Sequence, residues 1–202
     1  MTIVLLVEGE TERALKGILK KFLDQRAAER GQSQVRLQAR KIKSISREAL
    51  GKQIKLELQT PGVTAVVGLI DVFPQFKHAD AAAAKSFLLE AAHGAGVTHG
   101  FYAHAAQYDV EAWLLPYWDD ICQRINVRQG PPRGNPEQVN AVKPPAYHLR
   151  ELYRRARREY TKTTEMLAIL AGKDLTVAAN ACPELKGLLN TLLMLSNLPL
   201  LS

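Results

Sequence analysis

Four carboxylates in this 202-residue sequence stand at or just after the ends of stretches that read as strands. Glu8 follows residues 3–7 in VLLVEGETE, Asp71 closes VVGLID, and Asp109 and Glu111 come after GVTHGFYAHAAQ, in QYDVEAWLL. Carboxylates gathered in one crevice repel one another and partly protonate unless a cation neutralises them. Glu8 and Asp71, with Asp109 or Glu111 as a third acid, are therefore the candidate ligands of a Mg²⁺ or Mn²⁺ ion. Such an ion polarises a phosphoryl oxygen and activates water. Gly9, having no Cβ, lets the backbone turn tightly and approach a phosphate. The ordinary alternative is helix capping, because acids in a first turn satisfy free N–H groups and complement the helix dipole. Capping is the favoured reading for Asp109, and Glu10 and Glu12 read as first-turn acids. It suits Glu8 and Asp71 less well, since each follows a run that should be buried, where an unpartnered acid is costly.

These acids need a scaffold that brings strand ends together. Residues 3–7 form an apolar run of strand length, and from Thr11 the apolar residues Leu15, Ile18, Leu19, Phe22 and Leu23 recur at helical spacing. Residues 35–42 alternate like a half-exposed strand, 46–58 read as a helix, and 63–70 as a central strand covered on both faces. An Ala-rich helix over 79–93 precedes a fourth strand within 96–107, and a helix starting near Asp109 must kink or stop at Pro116. Alternation of this kind predicts an α/β fold with a doubly wound parallel sheet, whose ligands sit beyond the carboxyl ends of the strands. From 128 to 147 the composition turns to Pro, Gly and Asn, a loop or hinge, and three or four helices follow, the last opening at Pro183. The expected organisation is an α/β core over 1–127 and a helical extension over 128–202, packed on it.

Lys and Arg exceed Asp and Glu by 27 to 20, a net charge of +7 that favours a polyanionic partner such as nucleic acid. Cys122 and Cys182 lack CxxC spacing and read as core residues in a reducing, cytoplasmic protein. The opening IVLLV is too short for a secretory leader, and LKGLLNTLLMLSNLPLL is too interrupted to cross a bilayer. That last segment reads as a closing helix, with homodimerisation as the lesser option.

VLLVEGETE before a helix, with LIDVF after a strand, resembles the two motifs of the Toprim domain of topoisomerases, primases and related nucleases. LIDVFPQF, QYDVEAWLL, KPPAYHLRELY, YTKTTEMLAIL and CPELKGLLNTL together resemble an uncharacterised family of stand-alone Toprim-like bacterial proteins, domain-of-unknown-function family 4276, over nearly the whole chain. The resemblance implies a Toprim-like, Rossmann-like parallel sheet with flanking helices and Mg²⁺-dependent phosphotransfer. It maps Glu8 onto the catalytic glutamate, Asp71 onto the first metal-binding aspartate and Glu111 onto the glutamate of a third motif. Phe73 departs from the pattern, standing where Toprim proteins carry a second aspartate. Two functions follow as expectations. One is a nuclease acting on DNA or RNA; the other is a non-catalytic subunit binding nucleic acid or an ATPase partner in phage defence.

Phosphate contacts are expected from Lys41, Lys143, Arg154, Arg158 and Lys162. Arg150, Arg154, Arg157 and Arg158 share a helical face on spacing alone. Trp113 and Trp118 read as core or interface, and Tyr108 as structural. The sequence has no Walker lysine loop, GxSxG or HExxH, so ATP hydrolysis, serine hydrolysis and zinc proteolysis have no motif to support them.

Overall fold

Apolar runs of strand length become the central strands. In the computed structural model, which describes residues 2–72, 78–138 and 143–202, β1 (Thr2–Val7) is buried throughout and β3 (Val63–Asp71) is buried from Ala65 onward. They form the middle of a parallel sheet, with β2 (Arg36–Lys41) and β4 (Phe101–Ala106) at its edges in the order β2-β1-β3-β4. Helices α1 (Glu10–Ala28), α2 (Arg47–Leu58) and α3 (Ala81–Gly94) make the crossovers, as a parallel sheet requires. The α/β, Rossmann-like class expected from the sequence is the one observed.

Alternation of side chains along each strand divides the core in two. Ile3, Leu5, Val7, Val67 and Leu69 pack in one cluster with Leu15, Leu19 and Leu23 of α1; Val4, Leu6, Val66 and Ile70 pack in the other with Leu50 and Ile54 of α2 and Leu88 of α3. Gly51 lies where α2 meets α3, and a Cβ added to it would fall 2.1 Å from the carbonyl oxygen of Ala91. In an open helix Gly→Ala is favourable by about 0.5–1 kcal/mol. Here the contact is with backbone, so Gly51→Ala is expected to destabilise by about 1–3 kcal/mol. A lowered urea midpoint would register this; an unchanged or raised midpoint would mean that the two helices separate freely.

After β4 the chain winds as a 3-10 helix over Val110–Tyr117 and becomes α-helical only in α4 (Trp118–Ile125). The expected kink at Pro116 is thus a change of helix type, the proline having no N–H to donate. Helices α5 (Pro145–Arg155), α6 (Lys162–Leu170), α7 (Leu175–Ala181) and α8 (Pro183–Leu195) follow. Leu149, Leu152, Met166, Leu188 and Leu192 from these helices join the α1-side cluster, so the C-terminal third shares the core of the sheet. Both tryptophans are buried there, as are the free thiols Cys122 and Cys182. Among the described residues no helix is long and apolar enough to cross a membrane.

The Pro/Gly-rich stretch read as a loop or hinge is tied down by a buried acid. Glu137 accepts hydrogen bonds from Trp113 Nε1 at 2.9 Å and from the backbone N–H groups of Glu184 and Leu185 at 2.9 and 3.4 Å. Asn135 Nδ2 donates to the Ala181 carbonyl at 3.0 Å, and Trp118 Nε1 donates to the Gln129 carbonyl at 2.8 Å. Glu137 serves as the cap of α8, whose own N-cap residue, Cys182, makes no side-chain cap bond.

Candidate functional site

Val7 stands opposite both Lys41 and Leu69, and β3 and β4 run two residues further to Asp71 and Ala106, so the residues that follow the parallel strands share one edge of the sheet. Asp71 is the last residue of β3 and only 5 % exposed; period-two alternation puts it on the face of Val67 and Leu69, under α1. Glu8 accepts the Asp71 backbone N–H through Oε2 at 3.1 Å, which binds the end of β1 to the end of β3. Glu111, in the first turn of the 3-10 helix, is 1 % exposed. The charges of Glu12, Asp109, Glu111 and Glu8 all bear on Asp71. Glu8 and Asp71 therefore meet, and Glu12, Asp109 and Glu111 lie within electrostatic reach of Asp71.

Asp109 departs from the capping reading, and Glu12 bears it out. Asp109 holds the N-cap position of the 3-10 helix but caps none of its N–H groups; the Ala146 N–H, in the first turn of α5, is near enough to favour its ionised form. Tyr108 just before it has φ +70°, a left-handed conformation that costs a bulky residue about 1–2 kcal/mol and bends the chain immediately ahead of the acid. Glu12 is buried, and its Oε2 accepts the Gly9 N–H at 2.8 Å, the carboxylate half of a capping box whose other half glycine has no side chain to supply. A signal for Glu12 was present, since a capping-box acid reaches back toward the residue before its helix, and here that residue adjoins Glu8. Glu10, by contrast, is an ordinary exposed first-turn acid paired with Arg13 at 3.5 Å.

Lys162 opens α6 and lies against the cluster, its Nζ 2.9 and 3.1 Å from the two carboxylate oxygens of Glu111. The start of α6 is fastened to the start of α1 by a 3.1 Å hydrogen bond between the Thr11 and Thr163 hydroxyls. Lys162 is thus committed to a carboxylate, with about a third of its side chain (35 %) still exposed. Lys41 is exposed at the end of β2, on the same sheet edge. Lys143 is exposed before α5, and Arg154 is paired with Glu151 at 2.8 Å. The four-arginine stripe does not form: α5 ends at Arg155 and Arg157 turns left-handed at φ +56°, so Arg158 is off the helix. Phe73 lies outside the described residues.

A family model described as a domain of unknown function, DUF4276, matches residues 7–193. The chain belongs to the DUF4276 family. No curated protein and no solved structure matches it. The matched span of this DUF4276 chain contains Glu8, Glu12, Asp71, Asp109, Glu111 and Lys162.

Electrostatics in the DUF4276 cluster follow from burial among like charges. Burial, with Glu12 adding to it, pushes Glu8 up to about 7, against the Asp71 N–H that favours its ionised form. Asp71 is raised well above the carboxylate range by burial and by all four neighbouring acids. Burial also raises Asp109, helped by Glu111, and raises Glu12. Burial alone would depress Lys162, but Glu111, Asp109 and Asp71 outweigh it and hold the ammonium above its ordinary value. Asp71 Oδ1 and Asp109 Oδ1 are buried without a hydrogen-bond partner. Oxygen-only donors with unpaired acceptors fit a hard divalent cation in chemistry. In arrangement the ligands are not closed: among the described residues no three His, Cys, Asp or Glu side chains are placed to hold an ion as they stand.

Proposed function

We propose that this DUF4276 protein is a cytosolic, divalent-cation-dependent phosphodiesterase acting on nucleic acid. The observation that carries the reading is Asp71, almost wholly buried at a strand end with an unpaired oxygen and four other acids around it. Negative charge held so tightly is costly unless a cation or protons offset it. The Toprim resemblance of VLLVEGETE and LIDVF supports the same reading. Asp71, Asp109 and Glu8 would hold Mg²⁺ or Mn²⁺, which when bound would supply Lewis-acid polarisation of a phosphoryl oxygen. Glu8, with a value near 7, is suited to take or return a proton at neutral pH. Lys162 pairs with Glu111 and presents its partly exposed ammonium beside the same acids, where it would face a phosphate oxygen. Labelled DNA and RNA, single- and double-stranded, incubated with Mg²⁺, Mn²⁺ or EDTA, test the proposal; absence of cation-dependent cleavage of any of them rejects it.

Thermal stability gives an independent reading of the cation. The folded values of Glu8 and Asp71 lie above their unfolded ones, so their contribution is full at low pH and is lost as pH rises and the unfolded chain releases protons first. His104 works in the opposite sense. Burial against Thr191 holds it near 4 rather than 6.5, so its contribution is lost as pH falls between those values. Above pH 6.5 the acids therefore dominate: Tm without metal should fall toward about pH 8.5, and Mg²⁺ should raise it more at the higher pH, because the cation takes the deprotonated carboxylates. An equal Mg²⁺ effect at both pH values would contradict a cation site here.

One observation favours a second reading. Lys162 already neutralises Glu111, and the ligands are not closed around an ion. A DUF4276 protein with that arrangement could serve as a non-catalytic subunit that binds nucleic acid or an ATPase. Nucleic-acid binding that is indifferent to divalent ions, without cleavage, would select this alternative.

A further inference from the structure

At the start of α5 stands an aromatic side chain that the core does not use. Tyr147 is 39 % exposed and is the only aromatic among the exposed large hydrophobic residues of the described chain. It lies in the first turn of α5, directly after Ala146, whose N–H is near enough to Asp109 to favour its ionised carboxylate, so the start of α5 borders the acidic cluster. Lys143 Nζ sits 5.6 Å from the ring centroid, and the His148 ring meets it edge-on at 5.8 Å. Arg150, one turn along and exposed, is close enough for its charge to act on Asp109.

An exposed π-face bordered by cations is how proteins hold single-stranded nucleic acid: a base stacks on the ring and its phosphates meet the ammonium and guanidinium groups. In a duplex the base faces are already stacked on one another, and a lone surface ring reaches them only where the strands have parted. We infer that this edge binds single-stranded nucleic acid, with one base stacked on Tyr147 and the adjoining phosphates held by Lys143 and Arg150. The inference rests on reading the edge as a nucleic-acid site, and it specifies strandedness, which the acids alone do not.

Binding in EDTA separates this inference from the hydrolase proposal. Fluorescence anisotropy with a labelled oligothymidylate and with a duplex of equal length should show the single strand bound more tightly. Tyr147→Ala should weaken single-strand binding by roughly tenfold or more while Tyr147→Phe and Tyr147→Trp retain it. In Tyr147→Trp the new indole should be quenched by oligothymidylate, a signal that a merely structural residue would not give. Lys143→Ala should reduce the salt dependence by the equivalent of about one phosphate contact. Duplex bound as well as single strand, or unchanged affinity in Tyr147→Ala, would overturn the inference. Strand binding that depends on Tyr147 in a protein that cleaves nothing would uphold it and discard the hydrolase.

Discussion

Glu8→Gln and Asp71→Asn are expected to reduce cation-dependent cleavage of nucleic acid by about 10²–10⁴-fold, the range for losing a proton-transfer group or its electrostatic support. At the same time each should leave the metal-free protein at least as stable as the parent. Both substitutions keep side-chain size and remove one charge from a cluster in which burial and like-charge repulsion raise every affected acid. For Asp71→Asn the gain should grow with pH, reaching about 1–2 kcal/mol, or roughly 2–8 °C in Tm, where the parent carboxylate is ionised. Glu8 is partly solvated, so its gain should be the smaller of the two. Cleavage assays paired with metal-free thermal melts at two pH values measure both effects. Undiminished cleavage by Glu8→Gln would remove Glu8 from the chemistry. A large loss of stability in Asp71→Asn would mean that its carboxylate is a structural hydrogen-bond acceptor rather than a site held under repulsion.

Glu137→Ala is expected to cost about 3–5 kcal/mol, the largest single loss predicted for this chain, although the residue lies in a stretch whose composition reads as loop. Its carboxylate satisfies the buried Trp113 indole and two N–H groups at the start of α8. Truncation would leave all three without a protein partner, and α8 carries Leu188, Leu189, Leu192 and Leu193 into the core. Glu137→Gln keeps an acceptor oxygen and should recover part of the loss. Urea denaturation of the two variants reads this directly. A cost below about 1 kcal/mol for the alanine variant would show that water replaces the carboxylate at little penalty.

Local pattern accounts for most of the architecture. Apolar runs of strand length, helical periodicity in α1 and the prolines at 116 and 183 act over a few residues, so they survive without tertiary knowledge. The placements of Glu8 and Asp71 were legible for the same reason, since each ends a buried strand and parallel strands finish at a common edge. The 3-10 winding of Val110–Tyr117 was not legible, because its buried apolar residues fit an α-helix equally well until packing chooses.

Sequence by itself determined a basic α/β chain with a parallel sheet, and it set Glu8 and Asp71 at the ends of neighbouring strands. Only the tertiary structure decided the partners of the charged groups. Asp109 leaves its own helix uncapped, Glu12 folds back to Gly9, Lys162 takes Glu111, and Glu137 accepts the N–H of Glu184, 47 residues downstream. A strand or helix repeats with a short period and leaves its mark on neighbouring residues. A carboxylate's partner is whichever donor the folded chain carries within about 3 Å, and separation along the sequence places no limit on which donor that is.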